Sequence, residues 1–141
     1  MKKIVFLAVI LAVAAGCGIS RTKSVAMVGS DVDGHGCRPS AGFTWSEVRG
    51  DCVRIFEAGV SMVPEKNPAA THATYVVFSA DSTRAEVFWA GGRKSLLDRA
   101  VVNQMPTWRN TMFDMLMFMP AKGGFVLMNS ADGTTWLQSR K

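Results

Sequence analysis

Hydrophobic and polar positions alternate along much of the second half of the chain, and this period-2 pattern predicts β-strands. A β-branched and aromatic run occupies residues 75–78, and alternation returns at 85–89. The turn-forming residues 79–83 join these segments into a β-hairpin. Residues 125–128 and 134–138 show the same arrangement around a second turn of similar sequence. The pattern therefore predicts two antiparallel hairpins, one near the middle of the chain and one at its end.

Shorter segments add further strands. We expect a strand end at 60–63, a strand or short helix at 96–102, and another strand at 107–109. The run 112–119 is nearly all apolar, and Pro120 and the glycines that follow it favour a strand there. Seven or eight short strands separated by turns predict a mainly β fold, a small antiparallel β-barrel or sandwich preceded by a disulfide-stapled loop region.

Residues 112–119 are also rich in methionine. Methionine is unbranched and fills irregular gaps, so we expect these side chains to fill the core. The alternatives are a pliable binding face or a copper site, since thioethers suit Cu(I).

Residues 29–56, called the head below, interrupt this pattern with five glycines and two cysteines. Glycines at this density break long regular elements, so the head is predicted to be a compact loop region. A short helical turn is expected at 45–49, with Thr44 as its N-cap and Glu47 three residues later.

The N-terminus has the pattern of a signal peptide over residues 1–16. Two lysines precede an uncharged apolar run, Ile4–Ala15, which is about the length of a signal-peptide core and short for a transmembrane helix. The small residues Ala14–Gly16 and the following Cys17 resemble the lipobox of bacterial lipoproteins. This resemblance implies cleavage before Cys17 and lipid on its thiol. Ordinary secretion, with Cys17 left as a free thiol, is the alternative.

The lipobox resemblance also implies a location and a division of the chain. Two or more acyl chains hold a protein stably at a membrane, and Gly18, in place of an aspartate, implies the outer membrane of a Gram-negative cell. Residues 17–28 would be a lipidated tether, and 29–141 a single domain made of the head and a meander, 57–141. Loss of residues 1–16 lowers the net charge from +5 to +3. No Lys/Arg cluster is present, so a nucleic-acid partner is not expected.

The chain has three cysteines. If Cys17 carries lipid, Cys37 and Cys52 remain to form a disulfide in an oxidising compartment. Closing a loop of this length would stabilise the fold by about 3 kcal/mol in the chain-entropy model. A zinc site formed by these thiols with His35 is disfavoured, because the short Cys-x-x-Cys spacing of zinc sites is missing.

The alternating residues Asp31, Asp33 and His35 are similar to the opening of a calcium loop. Histidine replaces the third oxygen ligand, and Gly42 stands where the glutamate of such a loop is required. We therefore expect the two aspartates to organise a tight loop through hydrogen bonds to the backbone. A metal- or copper-handling envelope protein is the alternative function. We expect no cofactor and no catalytic residues, since no nucleophile elbow and no phosphate-binding glycine loop is present.

The head resembles that of a group of small bacterial envelope lipoproteins of uncharacterised function, with the pattern Gly-x-Asp-x-Asp-x-His-Gly-Cys-x-x-Ser-Ala-Gly-(Tyr/Phe)-x-Trp-Ser. The C-terminal part resembles, more weakly, the small β-barrel of membrane-bound lysozyme inhibitors. Ser40–Gly42 is the segment of this chain most similar in sequence to their inhibitory loop. These resemblances imply a non-catalytic envelope lipoprotein that binds a protein or glycan partner, with a lysozyme-inhibitor-like role as the sharpest form of that function. The residues expected at the partner-binding loop are Asp31, Asp33, His35, Ser40, Phe43 and Trp45.

Overall fold

A computed structural model describes residues 31–71, 73–110, 112 and 115–138. The predicted signal peptide, the lipid-bearing Cys17 and the tether lie outside the described residues and stay predictions. Within the described ranges, no helix has the length and apolar character needed to cross a membrane.

The head contains short elements only. They are a 3-10 turn at Pro39–Ala41, strands β1 (Thr44–Ser46) and β2 (Asp51–Val53), and the start of the helix α1 (Ile55–Ala58). The helical turn expected at 45–49 is wrong, because β1 and β2 form a hairpin in which Trp45 is paired with Cys52. Gly50 closes its turn by donating its N–H to the carbonyl oxygen of Ser46 (2.8 Å) at a φ of +60°, a left-handed conformation that suits glycine.

Eight further strands follow in a simple meander. They are β3 (Val60–Pro64), β4 (Thr74–Phe78), β5 (Arg84–Phe88), β6 (Lys94–Val102), β7 (Met105–Asn110), β8 (Leu116–Ala121), β9 (Gly124–Asn129) and β10 (Thr135–Gln138). Each is antiparallel to the next, and β10 pairs with β3 so that the sheet closes on itself. The predicted mainly β fold is confirmed, and the architecture is a closed eight-stranded barrel.

The inward-facing side chains fill the interior of the barrel. Phe118 is fully buried and stacks on Phe125 with 4.8 Å between ring centroids. Phe78 meets Trp108 edge to face at 4.8 Å, and a second aromatic pair, Trp89–Trp136, has its centroids 5.0 Å apart. An eight-stranded barrel is just wide enough for its own side chains to fill it. Binding functions are therefore to be sought on the outer wall, at the ends and on the head.

The expectation that the methionines of 112–119 fill the core is wrong. Phe118 faces the interior, so alternation along β8 places Met117 and Met119 on the outer wall. Met112 and Met115 lie before the strand and are 84% and 45% exposed. A run that is apolar at nearly every position contains no signal for which alternate residues face inward.

The two hairpin turns with related sequences are built in a similar way. Asp81 accepts hydrogen bonds from the Ser79 hydroxyl (2.7 Å) and from the N–H and hydroxyl of Thr83 (3.0 and 2.8 Å). These bonds, led by that from Ser79, lower the pKa of Asp81 to about 2. Asp132 accepts from the N–H of Thr134 (2.8 Å), which lowers its pKa in the same direction. The shared sequence thus reflects shared turn chemistry.

Candidate functional site

The disulfide between Cys37 and Cys52 is present, as the cysteine count predicts. It joins the irregular start of the head to β2, and Cys37 is almost completely buried. The segment between the two cysteines contains the 3-10 turn and β1. The disulfide therefore limits how far this exposed part of the head can move away from the rest.

Asp33 organises the turn that leads into Cys37. One of its carboxylate oxygens accepts the N–H groups of Cys37 and His35, each at 2.9 Å. The backbone N–H of Cys37 is the main cause that lowers the pKa of Asp33, and the N–H of His35 adds to it. A carboxylate with two N–H donors is favoured in its charged form. Asp33 therefore acts as a turn-forming residue, as expected from the sequence.

Asp31 holds the 3-10 turn in place from the other side. Its carboxylate accepts the backbone N–H of Ser40 (3.0 Å) and also the Ser40 hydroxyl. The Ser40 hydroxyl, followed by its N–H, lowers the pKa of Asp31. Two of the residues predicted to form a binding loop are thus direct partners.

In a calcium loop, the carboxylate oxygens of Asp31 and Asp33 would point at the ion. Here oxygens of both carboxylates accept hydrogen bonds from the protein. In the part of the chain that the structure describes, no three His, Cys, Asp or Glu side chains are grouped so that they could hold a metal ion. The geometry favours the loop-organising interpretation of these aspartates.

Two aromatic residues of the predicted site lie in different surroundings. The ring of His35 stacks on Trp45, with 4.6 Å between centroids and 4° between the ring planes. Phe43 instead lies beneath the guanidinium of Arg54, which is 4.7 Å from the ring centroid and also forms an ion pair with Glu57 at 3.1 Å. The structure therefore brings Asp33 into contact with His35, and His35 into contact with Trp45. Asp31 and Ser40 form a separate pair, and Phe43 contacts Arg54.

The tip of the head, residues 38–42, is exposed along its whole length. Gly42 ends the 3-10 turn at a φ of +81°, and a Cβ at this position would lie 3.2 Å from the ring of Phe56. Both the conformation and the available space therefore favour glycine here. The tip is exposed and yet fixed at both of its ends, by Asp31 and Cys37 on one side and by Gly42 on the other.

The sequence pattern does not identify one residue of this region, Glu86 on β5, as a contact of the head. It faces away from the barrel core, yet it is fully buried, because the head covers it. Its Oε2 accepts the Ser46 hydroxyl (2.7 Å), and the ammonium of Lys94 lies 3.8 Å from its Oε1. Lys94 also donates to the carbonyl oxygen of Trp45 (2.5 Å). The Glu86–Lys94 pair thus joins the head to the outer wall of the barrel.

A second contact strengthens this junction. The guanidinium of Arg49, in the β1–β2 turn, donates to the carbonyl oxygen of Phe78 on β4 (3.3 Å). Alternation in the sequence correctly marks Glu86 as an outward-facing position on its strand. Its burial depends on a segment 40 residues earlier, and no local pattern shows that contact.

Comparison with known proteins gave no relative. No protein-family model, curated protein or solved structure matches the chain. The resemblances to envelope lipoproteins and to lysozyme inhibitors stay predictions, and a function for the chain rests on the geometry of the head and the barrel.

Proposed function

We propose that this chain is a non-catalytic, lipid-anchored protein of the cell envelope that binds a protein or glycan partner through the head tip, residues 38–42. The observation that carries the proposal is the exposed tip, fixed by the disulfide and by Asp31. A loop that is already ordered loses little conformational entropy on binding, which favours affinity.

The sharpest form of this proposal is a lysozyme inhibitor. A closed eight-stranded barrel with a disulfide agrees with the architecture that the weak resemblance implies. An exposed tip is available for insertion into a cleft, where a few buried residues supply most of the binding energy. The tip contains Ser40–Gly42, the segment most similar in sequence to the inhibitory loop of those proteins.

The anchor is the second part of the proposal. Lipid on Cys17 would keep the domain at the membrane surface, and two or more acyl chains suffice for stable attachment. Mass spectrometry of the mature N-terminus is expected to find a diacylated Cys17 and no residues 1–16. A mature chain that begins at another residue, with a free thiol, would show that the anchor is absent.

Inhibition can be tested with a chain carrying Cys17→Ser, which cannot be acylated and keeps every described residue. We expect it to slow the lysis of a cell-wall suspension by lysozyme when the two proteins are present in comparable amounts. Ala41→Trp adds bulk at the exposed tip and is expected to abolish inhibition. Ala80→Trp, at an exposed turn of the barrel, is the matched control and is expected to inhibit like the parent chain.

Co-sedimentation of the same three chains with insoluble peptidoglycan tests the glycan form of the proposal. Binding that Ala41→Trp removes and Ala80→Trp leaves intact would support it. The absence of both lysozyme inhibition and peptidoglycan binding would contradict these two forms of the proposal. Equal activity of all three chains would show that the tip is not the binding surface.

A further inference from the structure

Four neighbouring strands of the barrel, β8, β9, β10 and β3, contain no charged residue, whereas the other four strands contain six. Phe118, Leu127 and Trp136 belong to the core, so the residues that alternate with them face outward. The outward-facing side chains of these four strands are called the uncharged wall below. Its large apolar members are Met117, Met119, Val126, Met128, Leu137 and Val63.

The apolar side chains of the uncharged wall are contiguous. Met119 is paired with Val126, Val126 with Leu137, and Leu137 with Val63. Side chains directly opposite each other on neighbouring strands have their Cβ atoms about 5 Å apart, so these four residues form one row across the wall. Leu137 is 41% exposed, and the other three are partly exposed. A contiguous exposed apolar surface marks a site of interaction with a protein or a membrane.

The head lies on the opposite side of the barrel from this wall. It contacts β4 at Phe78, β5 at Glu86 and β6 at Lys94. In the closed ring of eight strands, β9 is the fourth strand from β5 in either direction. A surface that covers the uncharged wall would therefore leave the head tip accessible.

The length of chain before the head determines which surface is always near. Thirteen residues, 18–30, separate Cys17 from Asp31. Even fully extended, they span no more than about 45 Å, at about 3.3–3.6 Å per residue. A lipid on Cys17 would hold the barrel beside a bilayer at an effective concentration on the order of mM. At such a concentration, even weak contacts between one wall and the bilayer populate a docked state.

The chemistry of the wall also favours lipid over a protein partner. Protein interfaces rely on tyrosine, tryptophan and arginine anchors, and no such residue faces outward on these four strands. Ser61 and Thr135 supply the hydroxyl groups of the wall, and its other side chains offer no strong hydrogen-bonding group. Methionine side chains are flexible and adapt to an irregular apolar surface, which suits the boundary of a fluid bilayer.

We infer that the uncharged wall lies against the bilayer, with its apolar side chains at the boundary between headgroups and acyl chains. The barrel then rests on its side, and the head tip points away from the membrane towards its partner. This inference rests on the lipid anchor proposed above and adds the orientation in which the anchored domain is held.

The test reconstitutes the acylated chain into vesicles of dimyristoylphosphatidylcholine, whose saturated chains do not react with oxidants. Peroxymonosulfate, an anion that stays in water, converts accessible methionine to the sulfoxide, and peptide mass spectrometry gives the rate at each position. We expect Met117, Met119 and Met128 to be oxidised severalfold more slowly than in the Cys17→Ser chain mixed with the same vesicles. Met112, which is 84% exposed in an open groove across β5, β6 and β7, should be oxidised at the same rate in both chains.

Two leucines of similar exposure provide matched variants. Leu137→Glu places a carboxylate within the wall and should return the wall methionines to the oxidation rate of the free chain, because burial of an unpaired charge is costly. Leu96 is 37% exposed and lies on β6, across the ring from β10. Leu96→Glu should therefore keep the protection. Thermal unfolding of both variants ensures that only folded chains are compared.

Flotation of the vesicles on a density gradient measures the anchor separately from docking. A chain that floats, but whose wall methionines are oxidised as fast as in the Cys17→Ser chain, would overturn the docking and leave the anchor intact. If Cys17 is found without lipid, its free thiol is coupled to a maleimide lipid in the vesicles. The same oxidation rates then test docking after the natural anchor has failed.

Two other results would also overturn the inference. Slow oxidation of the wall methionines in the Cys17→Ser chain without vesicles, together with a dimer mass in sedimentation, would assign the wall to a second copy of the chain. Equal protection in Leu137→Glu and Leu96→Glu would show that the uncharged wall is not the surface that meets the bilayer.

Discussion

The barrel is stabilised by buried apolar side chains, whereas the head is held mainly by polar and covalent contacts. Of the twelve buried hydrophobic residues in the described part of the chain, eleven belong to the barrel and only Cys37 belongs to the head. The head relies on its disulfide, on the turn-forming Asp31 and Asp33, and on the buried contact of Ser46 with Glu86.

This difference means that the stability of the domain and its proposed binding function reside in different regions. A closed barrel with a packed interior can supply most of the free energy of folding, because burial of apolar surface is the dominant favourable contribution. The head can then expose its tip without needing a core of its own. It also follows that the head can open locally while the barrel stays folded, since local stability differs between parts of a protein.

The largest effect is expected from Phe118→Ala, in the middle of the barrel core. Removing a fully buried phenylalanine that stacks on Phe125 should lower the free energy of unfolding by about 3–5 kcal/mol. Met117→Ala, one residue earlier on the outer wall, is the matched control, with an expected loss of no more than about 1 kcal/mol. Urea unfolding of both variants measures the difference. Equal losses would contradict the assignment of the inward face of β8.

The second-largest loss of stability is expected when the disulfide is removed. Replacing Cys37 and Cys52 together by alanine should lower the free energy of unfolding by about 2–4 kcal/mol. Hydrogen exchange should show the loss first in the head, at the amides of residues 33–43, while the amide of Val76 in the barrel keeps more of its protection. Equal loss of protection in both regions would show that the head and the barrel unfold together.

The third effect tests the junction between the two regions. Glu86→Ala removes the acceptor of the Ser46 hydroxyl and the ion-pair partner of Lys94. A hydrogen bond to a charged group contributes about 1.5–3 kcal/mol, so a loss of that order is expected in urea unfolding. Glu86→Gln keeps the volume and an acceptor for Ser46, and it should lose less. If Glu86→Ala is as stable as the parent chain, the head is not held through this residue.

Much of the fold follows from local sequence pattern. The hairpins β4–β5 and β9–β10 combine β-branched or aromatic residues with turn residues, and both are where the pattern predicts them. Closure of the barrel depends on the pairing of Leu137 with Val63, 74 positions apart, and no local pattern indicates it. The pattern around Thr44 predicts a helical turn in place of the hairpin β1–β2, because a capping sequence and a strand can share the same few residues.

The head is predictable in part for the same reason. The hydrogen bonds of Asp31 and Asp33 are local, so their turn-forming role can be inferred from residue type and spacing. The stacking of His35 on Trp45 and the burial of Glu86 depend on how separate segments pack. The open groove on the outer wall that includes Arg84, Lys94 and Arg109 likewise draws its residues from three strands, so a search for a linear cluster of Lys and Arg does not find it.

The smallest effect on stability is expected at low pH. It concerns turns held by an aspartate that accepts hydrogen bonds, which occur in both the head and the barrel. The pKa of Asp81 is about 2 in the folded barrel, below its ordinary value of 3.8, because Ser79 and Thr83 donate to its carboxylate. A lowered pKa means that the contribution of Asp81 to stability is complete above about pH 4 and is lost as the pH falls towards 2. Asp81→Asn keeps an acceptor for Thr83 but cannot titrate. The difference in urea midpoint between parent and variant should therefore be constant above about pH 5 and shrink between about pH 4 and 2.

Asp33→Asn should behave in the same way in the head, because the pKa of Asp33 is also lowered by N–H donors. Hydrogen exchange at the amide of Cys37 measures this effect. Parallel curves for parent and variant down to pH 2 would show that these turns do not depend on the charge of their aspartates.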